Sequence, residues 1–170
     1  MFRKKRQIQK IKKKARRTLS SKFAKEKRNY VIDTSIIINK FLSNLIKKGL
    51  CGKIIISNAV MAELENMANK GREEGFKGLD EIAGLHTLKH RYPIKVFFEG
   101  IRPREMHIKF AKSGEIDALI REIAYKNHAI LITADLVQAK SAQAYGLKVL
   151  FMKPKLKKKK SFFHFLRWKR

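Results

Sequence analysis

The sequence has little cysteine and no long apolar run, and each shortage excludes a class of protein. The single cysteine among 170 residues, Cys51, can form neither an internal disulfide framework nor a cysteine-based zinc ribbon. We therefore expect a reducing, cytoplasmic environment. The chain has no uninterrupted run of about 18 apolar residues, and its basic start leads into further lysines. These features argue against a secreted or membrane-spanning protein. A minor alternative is that the basic N-terminus is an organelle transit peptide.

Acidic residues are also scarce, and the resulting positive charge is concentrated at the two ends of the chain. The sequence has 14 Asp and Glu against 41 Lys and Arg, a formal net charge of +27. Residues 1–28 hold 14 basic residues and 1 acidic residue, and residues 153–170 hold 9 basic residues and none acidic. The hydrophobic content of 44% is enough for a core. We predict a basic extension (1–28), one folded domain (29–153), a basic and aromatic tail (154–170), and an acidic partner.

The middle of the chain alternates short β-rich runs with longer helical patterns. Helices are predicted from Ser35 to about Lys48, then over about 59–70, 75–91, 114–128 and 135–145. Alternating strands and helices indicate an α/β fold with a central parallel five-stranded sheet covered by helices on both faces. In such sheets the functional crevice lies at the carboxyl ends of the strands, near the switch point in strand order. The predicted strands are 30–32, 53–56, 94–98, 129–133 and 148–152.

Four acidic residues occupy informative places on this map. Asp33 ends the first strand and Asp135 follows the fourth, while Glu63 and Asp117 lie in the early turns of helices that begin or end near the same edge. Their neighbours are apolar, which is unusual for solvated carboxylates. Ionised carboxylates in proximity repel one another, so either their pKa values rise or a divalent cation binds. Oxygen-only ligation suits Mg²⁺ or Mn²⁺ better than zinc.

The remaining acidic residues have plainer interpretations. Asp117 and Asp135, each taken alone, could instead be carboxylates that stabilise a helix N-terminus. Six glutamates outside this group of four acids are predicted to be solvated helix charges or ion-pair partners: Glu65, Glu73, Glu74, Glu81, Glu115 and Glu122.

Four ordered motifs make residues 29–153 similar to PIN domains, a nuclease family with an acidic metal site. They are VIDTSIII, AVMAELE, GEIDALIREIA and ILITADLVQAKSAQAYGLKVLFM. The resemblance implies a PIN-like three-layer fold in which Asp33, Glu63, Asp117 and Asp135 are the catalytic and metal-binding acids. It also implies that Ser35, and less directly Thr133, supports the first aspartate. The stretch ANKGREEGFKGLDEI resembles in particular the PIN module of archaeal PIN/ATPase/KH proteins, although this chain has no phosphate-binding G-x-x-x-x-G-K-[ST] loop.

The activity implied by the resemblance is hydrolysis of RNA phosphodiesters with Mg²⁺ or Mn²⁺, leaving 5′-phosphate and 3′-hydroxyl ends. Asp33 and Asp117 would hold the principal ion, Asp135 would complete the site or recruit a second ion, and Glu63 would orient or deprotonate water. Two alternatives stay open. One is a non-catalytic RNA- or ribosome-associated protein on a PIN scaffold, and the other is a toxin-type ribonuclease with a protein antitoxin.

The expected partner is RNA, single-stranded where it is cut and bound through its phosphates by the basic ends of the chain. The tail combines Lys157 to Lys160 with Phe162, Phe163, Phe165 and Trp168, so cations and stacking rings occur together. The same composition suits an anionic membrane surface, which is the minor alternative for this segment. Further partner hypotheses are a ribosome or ribosomal RNA precursor and a homodimer.

Overall fold

The computed structural model describes residues 28–104 and 114–153. Predictions for the N-terminal extension, Arg28 apart, and for the tail lie outside the described residues. Within those residues no helix is both long and apolar enough to cross a bilayer. The helices are α1 Thr34–Ile38, α2 Phe41–Lys47, α3 Asn58–Asn69, α4 Glu73–Leu88, α5 Glu115–Lys126 and α6 Leu136–Ala144. The strands are β1 Arg28–Ile32, β2 Gly52–Ser57, β3 Ile94–Glu99, β4 Ile130–Thr133 and β5 Val149–Phe151.

The strands form one five-stranded sheet in the order β3-β2-β1-β4-β5, and every neighbouring pair is parallel. The predicted α/β fold with a central parallel sheet is therefore confirmed. Right-handed crossovers that proceed from β1 toward opposite edges of the sheet place their helices on opposite faces. The strand order reverses between β1 and β4, so the crevice of this fold opens where these two strands end.

The core is centred on β1, β2 and β4, whose apolar runs are buried on both faces of the sheet. Tyr30 to Ile32 and Ile54 to Ile56 have no solvent exposure, and neither do Leu131 and Ile132. Such continuous burial explains why these strands are unbroken apolar runs and do not alternate with polar residues. It also gives the carboxyl ends of β1 and β4 a rigid base.

The predicted single helix from Ser35 to about Lys48 is wrong, because the chain forms two helices separated by Asn39 and Lys40. Lys40 adopts φ 54° and ψ 35°, a left-handed conformation that an α-helix cannot continue through. At 100° per residue, the buried pair Ile36 and Ile37 would lie about 180° from the buried residues of α2 (Leu42, Leu45 and Ile46) on one straight helix. The break lets both apolar groups reach the core.

Candidate active site

Asp33 follows β1 directly and lies at the floor of the crevice. Its backbone N–H donates to Ile132 O of β4 at 3.0 Å, so the residue is joined to both central strands. The side chain is 3% exposed. An ionised carboxylate this deeply buried needs compensating donors or a cation nearby.

Two hydroxyl groups supply those donors, and both act on the same oxygen of Asp33. Thr133 Oγ1 donates to Asp33 Oδ2 at 2.7 Å, and Ser35 Oγ donates to the same atom. Ser35 Oγ accepts in turn from Ala134 N at 2.9 Å, which fixes the position of its hydroxyl. Asp33 Oδ1 takes part in neither bond, so the carboxylate is held in one orientation with one oxygen left for another group.

Glu63 is placed by α3, which Ser57 begins by accepting a hydrogen bond from Ala59 N at 3.1 Å. The Glu63 carboxylate accepts at Oε2 from Thr34 Oγ1, at 2.6 Å. Thr34 is the residue after Asp33, so this bond ties the second acid to the end of β1. Sequence reasoning missed Thr34, although its position between Asp33 and Ser35 was the available signal.

Asp135 begins α6 as its N-cap residue. Its Oδ1 accepts from Val137 N at 2.7 Å and from Gln138 N at 3.1 Å, and its side chain is exposed at the rim of the crevice. Asp135 therefore does stabilise a helix N-terminus, which was its plainer interpretation. This role uses only one of the two carboxylate oxygens. A cap of this kind stabilises a helix by roughly 1 kcal/mol.

Asp117 lies in the first turn of α5 and is half-buried at the same end of the sheet. Burial raises the pKa of the Asp117 carboxyl above its ordinary value, the charges of Asp33 and Asp135 raise it further, and Arg121 opposes the rise. Burial likewise raises the pKa of the Glu63 carboxyl, against the effect of the Thr34 hydrogen bond and with contributions from Asp33 and Asp117. The four acids therefore act on one another electrostatically.

The four acids lie near one another but are not close enough together to form a complete metal site. Among residues 28–104 and 114–153, no three Asp, Glu, His or Cys side chains are spaced so that they could hold a metal ion together. Repulsion between ionised carboxylates opposes a closer approach. The arrangement is an open group of four carboxyl groups around the ends of β1 and β4.

Sequence reasoning also missed Gln138, which links the two helices that carry Asp117 and Asp135. Gln138 is fully buried, and its Nε2 donates to Asp117 O at 3.2 Å. Its Oε1 accepts from Arg121 Nη1 at 2.6 Å. A glutamine in the first turn of a helix gives no sequence signal for such a role, because the role depends on how α5 and α6 pack.

One of the glutamates predicted to be a solvated charge or pair partner is placed differently. Glu81 is 8% exposed, and its Oε1 accepts from Ser43 N at 2.8 Å. Ser43 is in the first turn of α2, where backbone N–H groups have no partner within the helix. The prediction for Glu81 is wrong because the break before α2 creates a helix N-terminus that this carboxylate caps.

The raised pKa of Glu63 predicts how stability depends on pH in the metal-free protein. As the pH falls through that raised pKa, the folded state binds a proton before the unfolded state does, so the free energy of unfolding should rise until the ordinary value of 4.5 is approached. Glu63→Gln should remove this contribution, so it should be more stable than the wild type near pH 7, by a margin that narrows as the pH falls toward 5. Urea unfolding at pH 7 and pH 5 measures both effects.

Glu65→Gln is the matched control, two residues further along α3. The hydrogen bond from Arg102 lowers the pKa of Glu65, so its small contribution has the opposite sign and is lost as the pH falls through the lowered value. If the free energies of unfolding of Glu63→Gln and of the wild type changed in parallel between pH 7 and pH 5, the pKa of the Glu63 carboxyl would not be raised in the folded protein.

Comparisons with known proteins agree with this fold. The family model described as PIN domain matches residues 30–144. A KH and PIN-domain containing protein of Methanocaldococcus jannaschii is 42% identical over 123 residues, which are 71% of this chain and 19% of that protein. The chain thus spans about a fifth of that relative's length.

A solved structure from the same organism gives a similar picture. It is a domain of a protein described as functionally unknown, with a TM-score of 0.71 and 39% identity over 75% of this chain and 93% of the other. PIN domains are usually nucleases and typically use divalent metals. With a family match over most of its length and a shared fold, the chain belongs to the PIN domain family.

Proposed function

We propose that this protein is a divalent-metal-dependent endoribonuclease whose catalytic acids are Asp33, Glu63, Asp117 and Asp135. The observation that carries the proposal is the buried Asp33 carboxylate, which two hydroxyl groups orient through one oxygen at the switch point of the sheet. Oδ1 takes part in neither bond and is left for another group, such as a cation.

The chemistry of the donor set fits Mg²⁺ or Mn²⁺. Three of the acids have one oxygen engaged by the protein, and in each the second oxygen lies outside those bonds: Oδ1 of Asp33, Oε1 of Glu63 and Oδ2 of Asp135. Hard cations of this kind take oxygen ligands and keep several waters, so a few carboxylates suffice. Burial raises the pKa values of Glu63 and Asp117, the charges of neighbouring acids raise them further, and a cation would offset this second contribution.

The residues would divide the work according to their surroundings. Asp33 and Asp117 would hold the principal ion, with Asp135 at the rim completing the site. A bound divalent cation neutralises charge on a phosphate and lowers the pKa of water. Glu63 would orient the attacking water and accept its proton, a role that suits a carboxyl whose pKa is raised toward the working pH. Ser35 and Thr133 would hold Asp33 in place throughout.

RNA is the proposed substrate because of the positive charge of the chain and because of its similarity to a KH-containing protein. The net charge of +27 favours a polyanion, and the basic ends of the chain would bind phosphates. The Methanocaldococcus relative carries a KH module, a type that binds single-stranded nucleic acid. We extend that association to this chain as part of the proposal. The ribosome, homodimer and membrane-surface hypotheses stay predictions.

Cleavage of a single-stranded RNA by the full chain in Mn²⁺ and in EDTA tests the proposal. We expect fragments with 5′-phosphate ends in Mn²⁺ and intact RNA in EDTA, because the acids alone cannot neutralise the phosphate. End-labelled RNA on a denaturing gel shows both results. RNA that is bound but stays intact in Mn²⁺ and Mg²⁺ would instead identify a non-catalytic binding protein.

A further inference from the structure

A pocket outside the acidic site lies between α5 and the end of α6. Its volume is about 520 Å³, and its lining includes Arg121, Glu122, Tyr125, Lys126 and Tyr145. The volume falls in the range of sites that take one small organic molecule. The mechanism proposed above uses none of these side chains as a metal ligand or as a base.

The two tyrosines give the pocket exposed aromatic faces. Tyr125 is 68% exposed and Tyr145 is 70% exposed, so most of each ring lies in solvent. Aromatic residues are usually largely buried, and their exposure around one concavity is the informative observation. Planar rings that are open on one side are the surfaces on which single-stranded nucleic acids stack their bases.

The charges of the pocket are arranged for a nucleotide. The Arg121 guanidinium lies 5.8 Å from the centre of the Tyr145 ring, so a cation and a stacking face occur side by side. Lys126 pairs with Glu122 one turn earlier on α5. This pair offers both donors and acceptors to the edge of a base, and its carboxylate disfavours a phosphate at that end. A phosphate would therefore lie at the Arg121 end.

Arg121 also connects the pocket to the acids. It lies one turn after Asp117 on α5, and its positive charge opposes the rise in the pKa of Asp117. Its Nη1 donates to Gln138 Oε1, and Gln138 N donates to Asp135 Oδ1 at 3.1 Å. The buried glutamine thus holds the phosphate end of the pocket at a fixed place beside two of the proposed metal ligands.

We infer that this pocket, lined by Tyr125, Tyr145 and Arg121, binds one nucleotide of single-stranded RNA next to the phosphate that is cut. The base stacks on the tyrosine rings and its phosphate binds Arg121. The inference rests on the proposed function for the position of the nucleotide, and the binding itself can be measured without cleavage.

The test is binding of a short fluorescent single-stranded RNA to the full chain in EDTA, where the RNA stays intact. Tyr145→Ala should weaken binding roughly 5- to 150-fold, the range for loss of one stacked base. Tyr145→Phe keeps the ring and should bind like the wild type, and Tyr125→Ala should weaken binding as well. Phe98→Ala is the control, because it removes an exposed aromatic side chain from β3, away from the pocket. Side chains alternate along a strand, so Phe98 lies on the opposite face of the sheet from its neighbour Glu99. Glu99 contacts Lys53 and Asn127, and Asn127 follows α5, the helix that lines the pocket.

A second series separates stacking from a general effect on the protein. In this series each RNA lacks one base, and the position of the missing base differs from one RNA to the next. The wild type should bind one of these RNAs more weakly than the others, namely the RNA that lacks the stacked base. There Tyr145→Ala should add little further loss, since the ring has no base to contact. Equal affinity of Tyr145→Ala and wild type, or an equal loss on intact RNA and on every abasic RNA, would overturn the inference. Because these measurements are made in EDTA, absence of cleavage would count against the proposed function and leave the pocket to be judged by binding alone.

Discussion

Asp33→Asn is expected to abolish RNA cleavage while leaving the protein folded. The amide has nearly the volume of the carboxylate, and its oxygen can still accept from Ser35 and Thr133. It lacks the charge that a divalent cation requires from its ligand. Changes in groups that merely orient metal ligands cost roughly 10- to 100-fold, so loss of a ligand should lower kcat/KM by on the order of 100-fold or more. Single-turnover cleavage in Mn²⁺ measures the loss.

Asp80→Asn makes the same chemical change at an exposed position of α4 and is the matched control. It should cleave RNA like the wild type, and both variants should melt within a few degrees of it. If Asp33→Asn were as active as Asp80→Asn, the carboxylate of Asp33 would have no part in catalysis and the proposed site would be wrong.

Alanine at Gly75 is expected to destabilise the protein by roughly 1–3 kcal/mol, because α3 and α4 come too close together for a side chain there. A Cβ at this position would lie 2.3 Å from Ala68 N and 2.7 Å from Leu64 O. Both atoms belong to the backbone of α3, so relief of the clash requires one helix to move. The movement would also displace Glu63, which precedes Leu64, and should lower cleavage activity together with stability.

Gly84, on the same helix α4, provides the comparison. An added Cβ at Gly84 meets nothing within 4 Å, and the position is exposed. Gly84→Ala should therefore stabilise the protein by about 0.5–1 kcal/mol through helix propensity alone. Urea unfolding of the two variants should give changes of opposite sign. Two changes of the same sign would mean that the close approach at Gly75 is not a constraint on the fold.

The sheet and the general position of the acids could be predicted from the sequence because both depend on local patterns. Apolar runs alternating with helical periods indicated five parallel strands, and Asp33 and Asp135 were placed by counting to the strand ends. The same counting missed the break at Lys40. The signal was present, since Ile37 and Ile46 would lie on opposite sides of one helix.

Other features could not be predicted because they depend on contacts between distant elements. The burial of Glu81 requires the new N-terminus of α2, and the two bonds of Gln138 require α5 and α6 to lie side by side. The cap formed by Asp135 was foreseen as an alternative to metal binding, but the structure shows that one oxygen caps while the other lies outside the cap. Sequence alone treats these two roles as competitors.

The most direct test of the account is a calorimetric titration of Mn²⁺ into the full chain, because its central claim is that these acids form a divalent-metal site. We predict saturable binding to the wild type, at least roughly tenfold weaker binding to Asp33→Asn, and unchanged binding to Asp80→Asn. This measurement needs neither the correct RNA nor any cleavage. Indistinguishable titrations of the wild type and Asp33→Asn would contradict the claim that these acids form a metal site.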